Sequence, residues 1–146
     1  MEATPASGSD LVFNNGTFSS PLLLGANFTV GTITFSNVNT ALPNNLLVEN
    51  TKNNAQTLTI NTGITLTGGY TSTLTVQEFG TGSGSLSIAL GGSSGTFAAM
   101  QVDGTATLTL VPVISGSAGI TKSGTGTLTI GGPLPTAAIP TSPTVR

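Results

Sequence analysis

Three interior acids, Glu49, Glu78 and Asp103, and two interior bases, Lys52 and Lys122, are the side chains with which this chain could move a proton or hold a cation. Enzymes that cleave polysaccharides gather several Asp, Glu, Arg or Lys in one groove for metal binding and general acid–base work. Three carboxylates far apart in sequence do not build such a groove with any redundancy. Glu49 could meet Glu78 across neighbouring strands, but solvated or turn-capping carboxylates are the simpler reading. An isopeptide bond from Lys52 or Lys122 to an Asn needs an adjacent acid, and no local pattern supplies one. The chain has no His, Cys or Trp. That removes Cys/His zinc sites, Ser-His-Asp triads and Cys nucleophiles.

Two motifs mimic catalytic signatures. Gly91-Gly92-Ser93-Ser94-Gly95 fits the spacing of a nucleophile elbow. An elbow needs a strand-to-helix turn and a His base, and this chain offers neither. Gly80-Thr81-Gly82-Ser83-Gly84 is Gly-rich but lacks the Lys of a phosphate loop, and before Lys122-Ser123 the required Gly is Thr121. Both read as turns. The expectation is a protein that is not an enzyme, with no catalytic residue, no cofactor and no metal.

Composition narrows the partners. Of 146 residues, 5% are charged and 37% hydrophobic, with net charge −2 and 20 Gly. Soluble domains carry about 25% charged residues. No basic patch exists for phosphate neutralisation, so nucleic acid is not expected as a partner. Nor is there a polybasic segment for a membrane surface. No apolar run approaches the ~20 residues of a membrane helix. Met1-Glu2-Ala3-Thr4-Pro5 is not a signal peptide. Charge-poor, Cys-free, Thr/Ser/Gly/Asn-rich chains suit the cell surface, so an exported protein whose leader is not in this chain is expected.

The elements that position these side chains are strands. Apolar and polar residues alternate with a period of two, which puts alternate side chains on opposite faces. The clearest runs are Thr32-Ile33-Thr34-Phe35, Thr57-Leu58-Thr59-Ile60, Ile64-Thr65-Leu66-Thr67 and Thr73-Leu74-Thr75-Val76. Ser85-Leu86-Ser87-Ile88, Thr107-Leu108-Thr109-Leu110 and Thr127-Leu128-Thr129-Ile130 continue the series. Weaker strands are Leu11–Phe13, Phe28–Val30, Leu46–Val48 and Met100–Val102. Leu58, Leu74, Leu86, Leu108 and Leu128 should face a core, with the flanking Thr in solvent. Ala98-Ala99-Met100-Gln101 tolerates helix but is too short to stand alone. Gly and Asn pairs such as Asn44-Asn45, Gly68-Gly69 and Gly131-Gly132 mark tight turns.

Short, similar strands suit a solenoid better than a sandwich. A sandwich exposes edge strands and blunts them with Lys or Pro. A parallel β-helix stacks each strand on the one below, leaving open edges only at its two ends. Thr and Ser columns tolerate that stacking, where like charges would repel. A dozen strands at three per coil gives about four to five coils, roughly 20 Å at ~4.8 Å per layer.

Gly116-Ser117-Ala118-Gly119-Ile120-Thr121-Lys122-Ser123-Gly124-Thr125-Gly126-Thr127-Leu128-Thr129-Ile130 resembles the passenger-associated transport repeat of the autotransporter-associated β-strand repeat family. Its typical form is a Gly-rich turn followed by G-[LI]-T-K-x-G-x-G-T-L-T-[LI]. Asp10-Leu11-Val12-Phe13-Asn14-Asn15-Gly16 and Leu24–Phe35 look like opening coils of the same secreted proteins. The resemblance covers about residues 10–132 and implies a right-handed parallel β-helix at the bacterial surface.

That frames the remaining features. Asn15-Gly16-Thr17 and Asn27-Phe28-Thr29 match the glycosylation sequon, by chance in a bacterial chain. Regular Thr arrays on flat solenoid faces order water against ice, but here the units are unevenly spaced and Ser85/Ser87 interrupts them. Residues 1–10 read as an N-terminal extension, 11–132 as the solenoid and 133–146 as a Pro-rich ordered tail. The tail holds four of the eight prolines, and Pro cannot donate to a central ladder. Leu134, Ile139 and Val145 are its apolar anchors, against its own barrel or a neighbouring copy.

The expected function is structural: an extracellular subunit that polymerises with itself, head to tail, into a filament or surface fibre. A heterologous contact that does not close forms an open filament. The interface residues would be Leu11, Val12, Phe13, Phe28, Val30, Ile33 and Phe35 at one end, and Ile120, Leu128, Ile130, Leu134, Ile139 and Val145 at the other. The alternative is a passenger or stalk fragment of a larger adhesin, making glycan or surface contacts. A carbohydrate-active or ice-binding β-helix is more remote. The far-ultraviolet circular dichroism spectrum should be that of β-structure with negligible helix, unchanged by chelator. Stability should vary little from about pH 6 to 9, where only His and Cys side chains ordinarily titrate. A helical spectrum, or melting on adding chelator, contradicts this reading.

Overall fold

The computed structural model describes residues 6–14, 22–36, 45–50, 53–67, 73–78, 80, 83–92 and 96–134. These form twelve strands and no helix: β1 (Leu11–Asn14), β2 (Leu22–Leu24), β3 (Phe28–Ser36), β4 (Asn45–Asn50), β5 (Gln56–Thr67), β6 (Thr73–Gln77), β7 (Leu86–Leu90), β8 (Phe97–Val102), β9 (Thr107–Leu110), β10 (Val113–Gly116), β11 (Gly119–Ser123) and β12 (Thr127–Ile130). Every pairing among them is parallel.

The strands lie in three ladders, which the chain visits in rotation. The first runs from the start of β3 through the start of β5 to β7 and β10. The second runs β1, the end of β3, the end of β5, β8 and β11. The third runs β2, β4, β6, β9 and β12. An all-β chain of parallel ladders in this order is consistent with a β-solenoid.

Alternation along each strand produces the core. Inward positions stack in register: Phe28–Leu58–Ile88–Ile114 in the first ladder, Phe13–Phe35–Leu66–Val102 in the second, Leu74–Leu108–Leu128 in the third. Leu58, Leu74, Leu86 and Leu108 are buried as their alternation predicts, while Leu128, on the last strand, is only half-buried. The Phe13 and Phe35 rings stack face to face, with centroids 4.6 Å apart. Ring stacking of this kind adds to simple area burial.

Several boundaries differ from the sequence expectation. Thr57–Ile60 and Ile64–Thr67 form one strand, β5, because the backbone stays extended through exposed Asn61 and Thr62 while turning the corner between ladders. Opposite them β3 spends one residue, Gly31, and the register shifts there. Ala98–Gln101 is strand within β8, since Ala98 and Met100 pack inward beneath β11. Alternation does not predict β2 and β10, because Leu22-Leu23-Leu24 and Val113-Ile114-Ser115-Gly116 carry no clean period of two. Residues 8–10, assigned to an extension, are joined to β3. The Gly8 amide donates to the Thr29 carbonyl at 2.8 Å, and Gly31 donates to the Ser9 carbonyl at 3.0 Å. At the other end the ladder runs past Gly132, for Ile114 donates to the Pro133 carbonyl at 3.1 Å. Pro133 can take that place because only its carbonyl is needed. Lys52, Ile139, Val145 and the sequon at Asn15 lie outside the described residues.

Candidate functional site

The acids do not converge. Glu49, 6% exposed, has Gln77 as its cross-strand partner and accepts a 2.6 Å hydrogen bond from the Gln77 amide. Glu78, the partner considered from the sequence, is exposed. Asp103 accepts from the Thr67 hydroxyl at 2.8 Å and the Gln101 amide at 3.0 Å. These carboxylates are held by neutral donors and tie adjacent layers of the fold together. Gln77→Leu should therefore cost about 1–3 kcal/mol in urea unfolding, because it strips a donor from a buried carboxylate. A neutral outcome would mean that water replaces the amide without loss. Among the described residues no group of three or more His, Cys, Asp or Glu could hold a metal ion. No helix there is long and apolar enough to cross a membrane.

Of the two motif mimics, residues 81–82 and 93–95 lie outside the described residues. The Gly91 amide donates to the Ile60 carbonyl at 2.8 Å and so continues the first ladder. Asn27 of the second sequon accepts from the Thr57 amide at 2.9 Å, capping the strand above it. The uneven T-x-T units fall into register on the third ladder because loops of different length absorb the spacing. Thr73–Thr107–Thr127 form one outward column and Thr75–Thr109–Thr129 a second.

What remains are the two ends. At the N-terminal end, β1 and β2 each pair on one edge only, among the described residues. Beneath β3 an apolar opening of about 160 Å³ is lined by Leu11, Phe13, Leu24, Phe28, Ile33, Phe35 and Leu58. Leu11, Phe13, Leu24 and Phe28 are half-buried, whereas Ile33 and Phe35 are buried behind them. Val30 is fully buried inside the chain. Val12 points the other way, in register with outward Thr34, and is 58% exposed. At the C-terminal end, β11 and β12 are the outer strands, Leu128 and Ile130 are half-buried and Ile120 is buried. Leu134 is 43% exposed.

Lys122 belongs to this end and was not singled out for it. Its register partner is Met100, so it occupies a core-facing position on the last strand of the second ladder. Its ammonium turns to the Gly124 carbonyl at 2.8 Å. The signal was present in the alternation, since Ile120 and Lys122 share a face. A scan against family models, a search of curated proteins and a search of solved structures each return no match for this chain.

Proposed function

We propose that the chain is a right-handed parallel β-helix of about four to five coils, and an extracellular structural subunit that stacks head to tail into a filament or surface fibre. The observation that carries this reading is the pair of ends: strands that, among the described residues, pair on one edge only, each over half-buried apolar side chains. An exposed strand edge is a template for another chain. Strand addition supplies backbone hydrogen bonds, and apolar burial adds to them. Tying Glu49 and Asp103 to neutral donors supports a structural role over a catalytic one. The resemblance of 116–130 to the passenger-associated transport repeat supports placement at a bacterial surface.

The purified protein should sediment and scatter light as long polymers, visible as fibres in negative stain. With few charges involved, polymerisation should depend weakly on salt. Leu128→Asp should yield monomers or short rods with an unchanged circular dichroism spectrum, because it puts a charge on the outermost core position of the third ladder. Val12→Asp should do less, since Val12 faces outward. An unaltered protein that stays monomeric at high concentration removes the filament, and the stalk fragment of an adhesin takes its place.

The six threonines in register support a second reading, ice binding. Their two columns form a charge-free lattice at strand spacing. Thermal hysteresis that is lost in Thr109→Lys would establish it, and its absence in the unaltered protein would dispose of it.

A further inference from the structure

The two ends are complementary halves of one layer, and we propose that a filament junction completes a coil from two chains, with Leu134 of one copy seated beneath Phe28 of the next. This rests on the head-to-tail reading. Its geometry follows from the backbone hydrogen bonds. Gln56 donates to the carbonyl of Ser85, and its register partner is the following residue, Leu86. By the same pattern, the bond from Ile114 to the Pro133 carbonyl sets Leu134 over Ile114. Leu134 thus extends the inward column Phe28–Leu58–Ile88–Ile114 by one layer, and it is 43% exposed because nothing described lies above it.

The N-terminal end lacks that same position. Residues 8–10 lie beneath the Val30–Gly31 corner of the first ladder. Residues 6–9 form a turn, with the Ser9 amide donating to the Ala6 carbonyl at 3.1 Å. Among the described residues no side chain stands under Phe28, and the opening there is wholly apolar. Stacking β11 on the next copy's β1, and β12 on its β2, leaves one layer of the first ladder to fill. Pro133 and Leu134 fill its first half, and residues 8–10 of the next copy fill the rest.

Charge fixes the orientation. Lys122 lies in the column Leu11–Ile33–Ile64–Met100. In the stacked arrangement it stands beneath Leu11 of the next copy, one residue from that copy's exposed Asp10. Opposite charges at the two ends, placed to meet, favour this polarity and disfavour end-to-end contacts of like ends.

The chain has no cysteine, which gives a direct test. Adjacent strands hold their Cα atoms about 4.8 Å apart, inside the range a disulfide spans. Leu134→Cys combined with Phe28→Cys should, on oxidation of preformed polymer, give a ladder of covalent multimers on denaturing gels. Each single variant should stay monomeric on those gels, because like positions on neighbouring copies lie a whole subunit apart. Because Phe28→Cys could weaken folding, Leu134→Asp serves as a second probe at an exposed position. It should shift sedimentation to short species while the β spectrum is kept, and deletion of 133–146 should do the same, whereas deletion of 135–146 should not. Polymers that form but neither cross-link nor respond to Leu134→Asp overturn this junction and leave the filament standing. An unaltered chain that never polymerises overturns both.

Discussion

Leu108→Ala is expected to cost about 2–5 kcal/mol of folding stability, and Thr107→Ala, one residue away, well under 1 kcal/mol. Leu108 is fully buried in the middle of the third ladder, with Leu74 below it and Leu128 above. Truncation there removes contacts in two directions along the column, and stacked strands on fixed spacing cannot close the gap. Thr107 points outward between Thr73 and Thr127. Denaturant midpoints at constant slope measure the difference. If the Thr change proved the more damaging, the inward and outward faces would be assigned the wrong way round.

Gly63→Ala should be about as severe, near 3 kcal/mol, for a different reason. Gly63 is buried at the corner of β5, where β8 crosses it in register with Ala99. A Cβ at this position would strike the carbonyl and amide of Ala99. Backbone cannot rotate aside as a side chain does, so the β5–β8 pairing must open. Gly80→Ala is the control, since a Cβ at Gly80 meets nothing within 4 Å. Equal loss at both glycines would mean that the close approach to Ala99 does not set the cost.

Much of the fold was legible because a period of two is a local signal. Thr73–Val76 and Thr107–Leu110 announce a buried face and a wet face without reference to any other strand. The corner inside β5 was not legible. Thr57–Ile60 and Ile64–Thr67 read as two separate strands, and only the crossing of β8 shows why a glycine stands at Gly63. Lys122 shows the same limit. Its place on the core face follows from alternation with Ile120, but its meaning comes from being on the last strand. From the sequence the carboxylates read as solvated or turn-capping. Which donors hold them, Gln77 for Glu49 and Thr67 with Gln101 for Asp103, depends on register between strands far apart in the chain.

By itself the sequence determined that this protein is all-β, which side of each regular strand is wet, and that His, Cys and Trp chemistry is closed to it. Those are properties of single residues and their neighbours. Tertiary structure decided how the loops bring unequal spacings into one register, so that Thr73, Thr107 and Thr127 share a column. It also decided that residues 8–10 and Pro133 occupy parts of the first ladder. Such facts come from hydrogen bonds between distant segments, and no local pattern carries them, because a parallel ladder is closed by the strand one turn away and not by the next residue.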